Sequence, residues 1–271
     1  MGATQVEKGR RFQALHRGPP FVIPNPWDAG AASVLAALGF CALATTSSGF
    51  AFTLGRSDGE VSLDEAIAHV RNIAAATDLP VSVDLENGFD RAPEGVAAAV
   101  RAAAAAGAVG GSIEDFDSAS GIYDFEHAVE RVAAAAQAAH ALDFPFVLTA
   151  RADNHLYGHE DLDETIRRLR AFEGAGADVL FAPGLDLNEI KAVKRATTAP
   201  LNALARPDLN VDDLFKAGAQ RVSVGGRLTW VAAEAMVDVA KRLLRGDSSG
   251  LHRGDARRVT DLLAEGRGFR L

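Results

Sequence analysis

The sequence predicts a closed (β/α)₈ TIM barrel, an α/β fold of about 250 residues. Three observations predict it. First, one unit repeats, a helix-like stretch that ends in glycine and leads into a short β-branched run. It reads A-A-L-G-F-C-A-L-A-T, A-A-A-G-A-V-G-G-S-I, G-A-G-A-D-V-L-F-A and K-A-G-A-Q-R-V-S-V. Second, the runs are continuously apolar and alternate with helices, which implies a parallel sheet covered on both faces. Third, there are eight of them, at 21–24, 42–46, 81–84, 110–114, 146–150, 179–182, 201–203 and 222–225. A doubly wound open sheet is the competing arrangement, and no G-x-G-x-x-G follows the first run to support it.

In chain order, residues 1–20 form a helical lead-in to the first strand. Gly39, Gly107, Gly176 and Gly218 sit where a helix closes through a left-handed residue. Other strands are entered through Pro80, Pro145 and Pro200. Ser62-Leu-Asp-Glu65 is a capping box that opens one helix, and Asp161-Leu-Asp-Glu164 opens another. Residues 228–271 supply C-terminal helices: an apolar-faced one, a polar break at Gly246–Gly250, then V-T-D-L-L-A-E-G. No linker or low-complexity tract interrupts the chain, so residues 1–271 read as one domain.

Composition narrows the function. The formal charge of −8, with no dense Lys/Arg run, argues against a nucleic-acid surface. The single cysteine, Cys41, excludes an internal disulfide and fits a reducing compartment. The stretch M-G-A-T-Q-V-E-K-G-R-R-F has no apolar signal core, and Arg101 breaks the alanine tract 97–106. The expectation is a cytoplasmic protein without membrane partners.

In such a barrel the chemistry gathers at the C-terminal ends of the strands. Here those ends carry Asn25-Pro-Trp27-Asp28, Thr46-Ser47-Ser48-Gly49, Asp84 and Glu86, Glu114 and Asp115, and Arg151 and Asp153. Asp58 lies in the loop after the second strand, and the opposite ends carry glycine, proline and alanine. Asp84 and Glu86, at i and i+2 of an extended segment, point the same way and repel, so a cation belongs between them. With Glu114 they form an oxygen-only set suited to Mg²⁺ or Mn²⁺ held partly through water. The alternative is that these acids cap helices or pair with arginines. Arg151 leaves its strand into the mouth, as a clamp for a carboxylate or phosphate or as a salt-bridge partner of the acids. The turn of Thr46, Ser47, Ser48 and Gly49 offers hydroxyl and N–H donors to an anionic oxygen.

Together the segments N-P-W-D-A-G-A-A, A-T-T-S-S-G, L-G-R-S-D, V-S-V-D-L-E-N-G, G-G-S-I-E-D and T-A-R-A-D resemble the isocitrate lyase/phosphoenolpyruvate mutase superfamily. The resemblance implies a Mg²⁺-dependent barrel enzyme working beside a 2-oxo acid. It implies Asp84 as the direct metal ligand, with Glu86, Glu114 and Asp58 acting through water. It also implies that Arg151 holds the substrate carboxylate and the turn at Thr46–Gly49 contacts the same group, with Trp27 and Asp28 nearby. Catalytic roles then fall to Arg151, Asp58 and Glu114. Family tetramers, dimers of dimers packed through C-terminal helices, imply a homo-oligomer here.

The departures are specific. The loop after strand 4 reads D-F-D-S-A-S-G-I-Y-D-F, without the lyase cysteine or its basic neighbours. Strand 6 ends in F-A-P-G, where lyases keep a glutamate, and Glu86 stands for the commoner aspartate. The leading expectation is C–C cleavage of a small 2-oxo or 2-hydroxy di-acid by lyase or decarboxylase chemistry. A C–P-bond enzyme comes second and a non-catalytic 2-oxo acid binder third. Without the cysteine, the expected proton donors are a bound water, Tyr123 or His155, under a mobile lid at 116–125.

Overall fold

In the computed structural model, which describes residues 2–254 and 256–266, the closing glycines adopt the expected backbone. Gly39, Gly107, Gly176 and Gly218 have φ between +91° and +113°. Each ends a helix and returns the chain to the sheet. The element order is α1 (Gln5–Leu15), β1 (Phe21–Ile23), α2 (Ala29–Ala37), β2 (Leu43–Ala44), α3 (Ser47–Thr53), α4 (Leu63–Ala75) and β3 (Val81–Asp84). Then come α5 (Pro93–Ala105), β4 (Gly110–Glu114), a hairpin of β5 (Phe116–Asp117) and β6 (Gly121–Ile122), α6 (Phe125–His140) and β7 (Val147–Arg151). The chain continues through α7 (Leu162–Gly174), β8 (Val179–Phe181), α8 (Leu187–Ala196), β9 (Leu201–Leu204), α9 (Val211–Ala217) and β10 (Arg221–Ser223). It finishes with α10 (Arg227–Leu243), a 3₁₀ turn (Ser249–Arg253) and α11 (Ala256–Gly266).

Eight parallel strands pair in the order β1-β10-β9-β8-β7-β4-β3-β2. The Ala44 N–H donates to the Pro24 carbonyl at 3.1 Å and brings the two ends of that order together. The barrel is therefore nearly closed, as predicted. Only β2 is much shorter than expected: Thr45 still donates its N–H to the Ser82 carbonyl at 2.9 Å, but Thr46 already caps α3. The β3–β4 register sets Asp84 opposite Ser112, and the β4–β7 register sets Glu114 opposite Arg151. Sheet pairing alone thus brings the acids and the arginine side by side.

The lead-in helix closes the other end. Thr4 and Glu7 form a capping box at its start, and Phe12 is fully buried against Phe21, Ile23, Val109, Val147 and Val179. Gly110 makes room for that ring: a Cβ there would lie 2.6 Å from Phe12 Cε1 and 2.9 Å from the Val147 carbonyl oxygen. Ser62 and Glu65 form the predicted capping box, whereas Asp161 caps its helix without the reciprocal bond. Residues 116–125, expected as a lid with few groups to hold it, are held by internal hydrogen bonds. They hold the antiparallel β5–β6 hairpin, and Asp117 accepts from the N–H groups of Ala119 and Ser120 across its turn. Helix α11 lies against α2 of its own chain. Helix α10 buries only Thr229 and leaves Trp230, Val231, Met236 and Leu243 exposed.

Candidate active site

Asp84 ends β3 in a web of rim contacts. Its N–H donates to Thr45 Oγ1 at 2.9 Å, and its Oδ2 accepts from the Ser47 N–H at 3.1 Å. Arg151 ends β7 among three carboxylates: Glu114 Oε2 at 2.9 Å, Asp153 Oδ1 at 3.1 Å and Asp84 Oδ1 at 3.4 Å. Burial opposes the Arg151 charge, but Asp153, Glu114 and Asp84 more than offset it, and its pKa is raised. Arg151 Nε is buried without a partner. The ion-pairing role foreseen as the alternative for Arg151 is therefore present.

Glu86 and Asp58 face a cavity of about 340 Å³ together with Ser47, Glu114, Phe116, Arg151 and Tyr157. Asp58 belongs to an exposed loop, but its carboxyl is turned inward. Burial, then Asp84 and Asp58, push the Glu86 carboxyl up to about 8. Burial raises Glu114 well above the usual range against the pull of Arg151, and burial also raises Asp58. Glu86 has φ +49°, a left-handed conformation that non-glycine residues seldom adopt. The rim thus gathers more carboxyl groups than one guanidinium can pair, and burial favours their neutral forms.

Among the described residues, no three His, Cys, Asp or Glu side chains form a group that could hold a metal ion. A closed protein cage is excluded there. The donor chemistry does fit a hard cation bound by few protein oxygens and several waters, the usual habit of Mg²⁺. Asp84 would be the direct ligand, with Glu86, Asp58 and Glu114 around it. A dication would also favour the ionised forms that burial and neighbouring acids disfavour.

The remaining sequence candidates divide. Thr46, Ser47 and Ser48 line a second cavity of about 220 Å³, which runs from the mouth into the barrel. Thr46 also caps α3, accepting from the Gly49 N–H at 3.3 Å. Gly49 is a packing glycine: a Cβ there would lie 2.6 Å from both Thr229 Oγ1 and Thr46 Cγ2. Trp27 and Asp28 are absent from the linings of both cavities. Asp28 caps α2, and the Trp27 carbonyl is 2.9 Å from His69 Nε2. Asp115 is drawn off to Arg168 at 3.0 Å.

Neither side chain expected as a proton donor lines either of these two cavities. Tyr123 is buried, its hydroxyl 3.2 Å from both Asp117 and Asn87. His155 is buried with its ring nitrogens on Thr165 and Glu189. Tyr157 instead stands at the wall of the first cavity, stacked on Phe116 with ring centroids 3.4 Å apart. Sequence reasoning also missed Ser82, Ser112, Asn202 and Arg221 in the second cavity. The signal was available for the serines, each two positions before a rim acid on the same strand face.

Comparison with known proteins agrees with this geometry. The phosphoenolpyruvate phosphomutase family model matches residues 12–244. A crystal structure from Burkholderia cenocepacia, described by class as a lyase/mutase, has a TM-score of 0.93 and 48% identity, covering 96% of this chain and 97% of its own. Among curated relatives, oxaloacetate decarboxylase of Bradyrhizobium diazoefficiens is 30% identical over 69% of this chain and 66% of its own length. The 2-methylisocitrate lyase of Escherichia coli is 33% identical over 64% and 61%. The chain thus spans 66% and 61% of the lengths of these two enzymes. With a barrel of this order and acids at these strand ends, the chain belongs to the phosphoenolpyruvate phosphomutase family.

Proposed function

We propose that the protein is a Mg²⁺-dependent carbon–carbon lyase acting on a small 2-oxo or 2-hydroxy di-acid, with oxaloacetate-type decarboxylation as its preferred chemistry. The observation that carries this reading is the lining of the two cavities. It combines the acids Asp58, Asp84, Glu86 and Glu114 with Arg151 and contains no histidine, cysteine or lysine. Isocitrate-type cleavage needs a base at the hydroxyl and a separate acid at the enolate carbon. Decarboxylation asks less: the C–CO₂ bond breaks, its electron pair enters the enolate, and the carbon takes a proton afterwards.

The chain's own groups then have separable tasks. Arg151 Nη1 and the Ser47–Ser48 turn hold the carboxylate beside the oxo group, and Asp84 and Glu86 hold the cation. Bound there, Mg²⁺ supplies charge stabilisation to the developing enolate oxygen. Phe116 and Tyr157 wall off water, which strengthens these contacts. Tyr157 is placed to return the proton: its hydroxyl is protonated at neutral pH as tyrosines are, and partial burial with the nearby Glu114 and Asp153 raises its pKa further.

A panel of oxaloacetate, methylisocitrate, dimethylmalate and phosphonopyruvate, each with Mg²⁺ and with chelator, tests the reading. Oxaloacetate turnover that chelator abolishes is the expected result. Strong methylisocitrate cleavage without oxaloacetate turnover overturns the ranking. The match to a phosphomutase family model favours a C–P enzyme as the second reading, and phosphate release from phosphonopyruvate would establish it. If no compound turns over but one binds, the protein is a 2-oxo acid binder. The exposed apolar face of α10 supports a homo-oligomer built through the C-terminal helices. Light scattering showing only monomer at micromolar concentration would contradict it. No helix among the described residues is long and apolar enough to cross a membrane.

A further inference from the structure

A second cation lies inside the barrel, and the acidic rim does not use it. Arg221 opens β10 at the entry end of the strands and is only 5% exposed. Its Nη2 donates to Thr149 Oγ1 at 3.0 Å, its Nε donates to Asn202 Oδ1 at 2.8 Å, and its Nη1 lies 3.2 Å from His16 Nε2. His16 Nδ1 lies 2.8 Å from the Phe12 carbonyl, so the tautomer that donates there turns an acceptor toward Arg221. All three partners are neutral. Burial alone pushes the Arg221 pKa down to about 9, still charged at neutral pH, and no carboxylate offsets it. A guanidinium has five N–H donors, and the partners take three.

The space above Arg221 is open and is lined by both polar and apolar side chains. Ser82, Ser112 and Thr149 stand two residues before Asp84, Glu114 and Arg151, on the same inward faces. They form a rung about 6.6 Å below the rim. Barrel interiors at such rungs are normally filled by bulky aliphatic side chains. Small hydroxyl residues leave a cavity here instead, one lined by both Arg151 and Arg221. A four-carbon chain with a hydrogen bond at each end covers one such step.

We propose that the barrel interior is a carboxylate subsite, in which Arg221 receives one end of a di-acid whose other end lies at the Arg151 rim. This rests on the 2-oxo acid reading for its reactive end and extends it to the choice of substrate. The subsite selects di-acids over mono-acids of the same 2-substituent.

Malate and lactate differ by one carboxylate, and titration calorimetry with Mg²⁺ compares them on the parent and on Arg221→Gln. The parent should bind malate at least about tenfold more tightly than lactate, and the variant should lose that preference while keeping lactate affinity. Equal binding of the two by the parent, or a preference that survives in the variant, overturns the subsite and leaves the enolate reading standing. If Arg221→Gln does not fold, Arg221→Lys decides: the charge stays, the planar fork is lost, and the preference must narrow. If neither hydroxy acid binds the parent, oxaloacetate turnover decides the 2-oxo acid reading. Succinate then judges the subsite alone: bound by the parent and lost in the variant supports it, and no binding overturns it.

Discussion

The two ends of the barrel are built on opposite electrostatic plans. At the rim, Arg151 shares its charge among Asp84, Glu114 and Asp153, with Glu86 and Asp58 close by. At the floor, Arg221 has only the neutral His16, Asn202 and Thr149. The rim lacks positive charge and the floor lacks negative charge, although one cavity is lined from both. A ligand that brings a dication to the rim and a carboxylate to the floor would complete both ends. The contrast separates function from stability. Rim substitutions should act on turnover, and floor substitutions on folding or on substrate choice.

The largest test of the contrast is at the rim. Asp84→Ala should lower turnover by about 10²–10³-fold and remove Mg²⁺ binding, with circular dichroism unchanged. Full activity in that variant, or a parent that gives no heat with Mg²⁺, removes the metal from the rim. At the floor, Phe12→Ala should cost about 3–5 kcal/mol in urea unfolding, because its buried ring plugs the barrel. Activity per folded molecule should hold. A loss below 1 kcal/mol would mean that the floor does not depend on the plug.

The floor should also carry an acid sensitivity. Burial, then the Arg221 charge, push His16 down to about 3. The unfolded chain therefore binds a proton, near pH 6.5, that the folded chain refuses. Its contribution to stability is full above that pH and is lost as pH falls toward 3. Between pH 6.5 and 4.5 the parent should lose about 2–3 kcal/mol that His16→Gln does not lose. Parallel pH profiles in parent and variant would show that His16 is not the group responsible. The smallest effect belongs to Glu86. Its left-handed backbone is strained, so Glu86→Asn should gain about 1 kcal/mol of stability while activity falls. A variant both less stable and fully active would reverse the rim assignment at that residue.

Much of this was readable in the sequence. The glycine and proline punctuation placed every barrel strand within a few residues, because the left-handed closing residue is a local requirement of the chain. The rim acids and Arg151 were readable for a related reason: charge directly after a continuously apolar strand can only sit at its open end. Other features depend on partners distant in sequence. Tyr123 and His155 looked like proton donors in their loops, but Asn87, Asp117, Thr165 and Glu189 claim their polar atoms. Trp27 and Asp28 looked like rim residues, yet the turn into α2 uses Asp28 as its cap.

By itself, then, the sequence determined the barrel, its direction and the charged set at one end. These follow from hydrophobic periodicity and from short-range backbone geometry. Only the tertiary structure decided which charges meet. Arg221 reads as the polar edge of a strand until the barrel closes and brings His16, 205 positions away, against it. Glu114 and Arg151 become partners only through the register of β4 on β7. Electrostatic energy depends on distance and burial, and neither exists until the strands have paired.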